Sequence, residues 1–114
     1  MARIVAVQVE DCGTCLQIEV SLARASGVAP PIIRAALEAT EEALPPELAE
    51  VARFSRAVVT RTDDEAELRE RLCERYGEEG LVELALGIAS CRVFPTTKRA
   101  LGFAVACERV HVEV

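Results

Sequence analysis

Cys12 and Cys15 bracket the dipeptide Gly13-Thr14, and this Cys-x-x-Cys pair is the part of the chain best suited to chemistry. Two thiols three positions apart meet across one helical turn or close a tight disulfide where a helix begins. Such a dithiol can cycle between reduced and oxidised states. The same spacing also occurs as half of a zinc site, so the rest of the chain has to discriminate. The other cysteines, Cys73, Cys91 and Cys107, are isolated from one another. Five cysteines make an odd count without the density of a secreted disulfide scaffold, which points to a reducing, cytoplasmic setting.

A structural zinc site wants four ligands, typically a second Cys-x-x-Cys or a pair of histidines. Here only the scattered cysteines and the near-terminal His111 remain, so neither a metal nor any other cofactor is expected. A thioredoxin-like domain would set the motif after a strand, within alternating strands and helices. The helical run from residue 30 to 108 argues against that, as does the lack of a tryptophan before the motif. Two readings stay open: a redox site carried on helices, or two ordinary, partly buried cysteines.

The elements that must position the pair follow from periodicity and punctuation. Residues 1–10 are rich in Val and Ile, as a strand would be, but they lead without a breaker into Cys12–Ala25. Ile18, Leu22 and Ala25 keep helical spacing there until Gly27 supplies a cap, so the expectation is one helix already under way at residue 1. Pro30-Pro31 opens a short helix with Ile33, Ala36 and Leu37 on one face, and Pro45-Pro46 opens another with Leu48, Val51, Ser55 and Val58 inward. Thr62-Asp63-Asp64-Glu65 reads as a capping box before Leu68 and Leu72, with a stop at Tyr76-Gly77. An apolar helix is expected from Leu81 to Phe94, its inner face made by Leu81, Leu84, Ala85, Ile88 and Ala89 and its end set by Pro95. Thr96 would cap a last helix through Cys107, and residues 109–114 alternate like an extended tail. The fold class is all-α, a compact multi-helix bundle in a single domain, and Cys73, Cys91 and Cys107 read as core.

At 114 residues the chain can bury one modest core. Hydrophobic residues make up 51%, with four Phe or Tyr in all and no Trp, so the apolar content is aliphatic. The mean hydropathy of +0.22 leaves a surplus that a homo-oligomer interface would absorb. A net charge of −6, with arginines and glutamates alternating along helix faces, excludes a nucleic-acid partner and an anionic membrane surface. No apolar run approaches the roughly 20 residues of a membrane span, and residues 1–9 lack the layout of a secretory signal. Arg92, Lys98 and Arg99 gather around Pro95, where they could line an anionic-ligand pocket, form the mouth of the thiol site or make an oligomer salt bridge.

Glu10-Asp-Cys-Gly-Thr-Cys-Leu-Gln17, then Gly27-Val-Ala-Pro-Pro31 and Gly80-Leu-Val-Glu-Leu-Ala-Leu-Gly-Ile-Ala89, resemble the carboxymuconolactone decarboxylase and AhpD-like alkylhydroperoxidase family. The likeness runs from Val5 to about Val105. It implies an all-helical protein assembled as a dimer, trimer or hexamer, with Cys15 the more reactive thiol and Cys12 its disulfide partner. It also implies a histidine four residues after the second cysteine and a glutamate upstream. Position 19 holds Glu19 instead, and the upstream glutamate would fall before residue 1; longer members carry additional N-terminal helices.

Glu19 lies one turn from Cys15. As a carboxylate its field disfavours the thiolate, and it acts as a base only if burial raises its own pKa. Alternatively it is an ordinary helix residue paired with an arginine from another element. Two functions follow. One is a thiol-dependent peroxidase or thiol-disulfide oxidoreductase with Cys15, Cys12 and Glu19 as its catalytic residues. It would act on a hydroperoxide or disulfide and be re-reduced by an external dithiol. The other is a non-catalytic or regulatory helical oligomer that keeps the fold without the histidine.

Overall fold

The computed structural model describes residues 1–103 and 112–114. Among these residues every regular element is a helix: α1 (Ala2–Gln8), α2 (Gly13–Ala25), α3 (Pro30–Leu37), a 3-10 turn (Glu41–Ala43), α4 (Pro46–Thr60), α5 (Glu65–Ser90) and α6 (Val93–Ala100). None is long and apolar enough to cross a membrane.

The centre of the bundle is α1. Ala2, Ile4, Val5, Ala6 and Val7 are all buried, so this short helix is apolar nearly all round, the pattern of an element enclosed by others. It lies against α2, α3, α4 and α5. Each of three apolar clusters takes residues from it: Ala2, Ala6 and Val7 join Phe54, Leu68, Leu72 and Ile88; Val5 joins Ala35, Leu44, Ala49 and Ala52; Ile4 joins Val20, Ile33 and Ala36. The Val and Ile content that resembles a strand is therefore the composition of a fully enclosed helix.

The expected single helix through residue 25 is instead two. The chain leaves α1 at Val9, and Asp11 takes a left-handed backbone (φ 50°) before Cys12 opens α2 in an extended conformation. No glycine or proline marks this break. The predicted helix over 81–94 is also redrawn. Gly77, at φ 74° and ψ 176°, kinks α5, the chain resumes helix directly after it, and α5 ends at Ser90. Pro95 lies in the first turn of α6, where its missing N–H costs no bond, and so it neither ends nor kinks a helix. Of the expected inner face Ile88 is buried and Leu81 and Leu84 pack half-buried against the core, while Ala85 and Ala89 are exposed. The capping box is not formed: Asp64 precedes α5 and no side chain caps it. Thr96 falls inside α6 rather than ahead of a last helix. Val105, Cys107, Arg109 and His111 lie outside the described residues. Residues 112–114 have no regular structure and lie along α2, where Gln17 exchanges two hydrogen bonds with the Glu113 backbone (3.0 and 2.8 Å).

Helix ends follow a common device. Gly27, Ala39, Arg61 and Gly102 each adopt positive φ, and the residue after each donates back five positions, as Val28 does to Ala23 and Thr40 to Ala35. Glycine takes that conformation without a Cβ clash, whereas Ala39 and Arg61 do not. Ala39→Gly and Arg61→Gly should therefore each stabilise the fold by about 0.5–1 kcal/mol. Urea unfolding measures this, and a loss of stability in both variants would contradict the cap geometry.

Candidate functional site

Cys12 is the N-cap of α2, with its carbonyl accepting the first helical bond from Leu16 (2.9 Å). Gly13 and Thr14 follow, and Cys15 completes the first turn. The helix therefore begins inside the motif. No side chain caps this end, so the N–H groups of Gly13 and Thr14 have no intrahelical partner, and the positive end of the helix dipole lies beside both thiols. Cys12 is half-buried, Cys15 is 7% exposed, and neither Cys12, Cys73 nor Cys91 is in a disulfide.

Cys15 and Glu19 are successive residues on one face of α2, and that face closes on Arg3. The guanidinium grips the carboxylate with two hydrogen bonds, Nε to Oε2 (2.6 Å) and Nη2 to Oε1 (2.7 Å), and its third nitrogen donates to Ser90 Oγ (2.9 Å). Glu19 is 6% exposed while Arg3 keeps one side in water, and this forked pair ties α1, α2 and the end of α5 together. Of the two roles set out for Glu19, the geometry matches the ion pair with an arginine from another element, because both oxygens are already occupied. Glu10 has a matching arrangement on the other flank of the motif. It is 5% exposed and accepts a hydrogen bond from Arg92 Nε, while Arg99 comes within 3.1 Å of Oε2 and donates to the Glu10 carbonyl (3.1 Å). Oε2 itself accepts no hydrogen bond among the described residues. The expected cluster around Pro95 is thus divided, with Arg92 and Arg99 on Glu10 and Lys98 elsewhere.

A cavity of about 420 Å³ opens between α2 and the α5–α6 corner. Cys15 and Cys91 line it together with the Arg3–Glu19 pair, and Lys98 also reaches it. Burial pushes the Cys91 thiol up, and the Glu19 carboxylate adds to this against the opposing charges of Arg3 and Arg92. Cys91 donates to the Ile88 carbonyl (3.3 Å), whereas Cys73 is half-buried on α5 and takes no part in the cavity. Among the described residues no group of three or more His, Cys, Asp or Glu could hold a metal ion. Sequence reasoning singled out Cys12, Cys15, Glu19 and Lys98 but missed Arg3 and Ser90. Arg3 carries the one charged side chain in residues 1–9, and a lone charged side chain in an otherwise apolar run was the available signal.

Comparison with known protein families, with known proteins and with solved structures finds no match to this chain.

Removing one partner of a buried pair leaves the other charge uncompensated. Arg3→Ala should destabilise the fold by about 2 kcal/mol, reduced from the fully buried case because the guanidinium is partly exposed. Arg3→Leu/Glu19→Leu should recover most of that loss, and equal denaturation midpoints for Arg3→Ala and the parent would refute the pair's role. At Cys91 the raised pKa keeps the thiol protonated above the ordinary thiol range. Iodoacetamide should therefore modify Cys91 more slowly than Cys12 at pH 8, with a rate that climbs only at higher pH, as peptide mass spectrometry would follow.

Proposed function

We propose that this chain is a Cys-x-x-Cys thiol-dependent peroxidase or thiol-disulfide oxidoreductase of the AhpD-like type, working as a homo-oligomer in a reducing, cytoplasmic setting. The observation that supports it is the placement of both thiols in the first turn of α2, with Cys15 on the wall of a cavity that also holds a forked Arg–Glu pair. Exposed Val82 and Leu86 supply apolar surface for an oligomer.

In this mechanism the Cys15 thiolate attacks the terminal oxygen of a hydroperoxide. An S–O bond forms, the O–O bond breaks, and the alkoxide leaves as the alcohol after taking a proton. The Cys12 thiolate then attacks the Cys15 sulfenic acid, forming the S–S bond and releasing water. An external dithiol reduces the disulfide by two exchange steps. On a disulfide substrate, Cys15 forms the mixed disulfide and Cys12 displaces it. Glu19 is a positioning residue here: it fixes the Arg3 guanidinium at the cavity, and solvent or the substrate takes the thiol proton. The second reading, a non-catalytic or regulatory oligomer, is favoured by that same engagement, since Arg3 leaves position 19 without a base.

Hydroperoxide consumption driven by dithiothreitol separates the two readings. The catalytic reading expects turnover that falls at least 100-fold in Cys15→Ser, a single turnover in Cys12→Ser, and little change in Cys73→Ser. Consumption by the parent chain no faster than by Cys12→Ser/Cys15→Ser would leave the non-catalytic reading.

A further inference from the structure

The cavity beside Cys15 has more than a thiol in it. Its two walls are regular: Ile18 and Leu22 are one turn apart on α2, and Phe94 and Lys98 are one turn apart on α6. Such pairs share a helix face, so each wall presents a continuous stripe to the cavity. Ile18, Leu22 and Phe94 are exposed for their type, Phe94 at 73%. The inner end is polar but electrically balanced, because Arg3 and Glu19 neutralise each other. Lys98 is different. It is half-buried, and no ion pair or hydrogen bond engages its ammonium among the described residues. The arginine one residue away binds Glu10, so among the described residues this lysine is the uncompensated charge lining the cavity.

We propose that this cavity binds an aliphatic carboxylate of medium chain length. Its chain lies between the Ile18–Leu22 and Phe94 walls, and its carboxylate pairs with the Lys98 ammonium. The volume of about 420 Å³ falls in the range of small-molecule sites, which are mostly apolar with a few placed polar groups. Charge selects the headgroup: in a chain of net charge −6, Lys98 is what draws an anion to this site. A cationic amphiphile would place like charge against the lysine. A neutral alcohol would gain only the apolar contact.

Binding does not depend on the redox chemistry above and is measured on the reduced full-length chain. Octanoate, octanol and octylammonium are titrated by calorimetry, with methyl and aromatic NMR shifts to locate them. Octanoate should bind at least tenfold more tightly than either control and shift Ile18, Leu22 and Phe94. Lys98→Gln should lower octanoate affinity about tenfold while leaving octanol unchanged, and Leu22→Glu should weaken both. Equal affinity for the three headgroups, unchanged octanoate binding in Lys98→Gln, or shifts confined to other parts of the chain would each overturn the assignment. A thiol-inactive chain that still binds octanoate would separate this inference from the proposed activity.

Discussion

The forked ion pair between Arg3 and Glu19 is the constraint on which the rest of the site depends. A carboxylate buried to this degree is costly unless its lone pairs are occupied, and Arg3 occupies them from a helix enclosed on nearly every side. The α1 helix cannot move without dislodging all three apolar clusters, so the guanidinium is held in place by the core itself. The face of α2 that carries Cys15 is in turn fixed against α1, and the Ser90 bond brings the end of α5 to the same point. A weak link elsewhere would loosen a helix; a weak link here would open the cavity.

Glu10 mirrors this on the other side of the motif, with Arg92 and Arg99 reaching back from α6. The Cys12–Cys15 turn therefore lies between two buried carboxylates, each met by arginine from a different part of the bundle. Arginine charge on both flanks spares the thiols the full field of two carboxylates. The positive end of α2 remains beside any anion formed there. Lys98, left out of both arrangements, gives the cavity a net positive charge among the described residues.

Much of the helical frame was legible because local rules and burial agreed. Pro30 and Pro46 open α3 and α4, Gly77 breaks α5, and Ile33, Leu72 and Val51 are buried as their spacing requires. The failures share one cause. The break before Cys12 rests on Asp11 in a left-handed conformation, and Ala39 and Arg61 end helices in the same way, without the glycine that normally announces it. No local sequence signal records those turns. The expected inner stripe of α5 holds at Ile88, with Leu81 and Leu84 packed on the core, and fails at Ala85 and Ala89, which are exposed. At the site, residue types gave Cys12, Cys15 and Glu19. The partners Arg3, Arg92 and Ser90 lie 16, 82 and 87 positions from the groups they serve, beyond any spacing rule.

Disulfide mapping by mass spectrometry after one equivalent of hydroperoxide tests the central claim most directly, that the first turn of α2 is a working dithiol. The account predicts loss of two thiols per chain, recovered in one peptide pair joining Cys12 to Cys15 and fully restored by a dithiol. Oxidation spread over the cysteines alike, or a chain that keeps all its thiols, would contradict it.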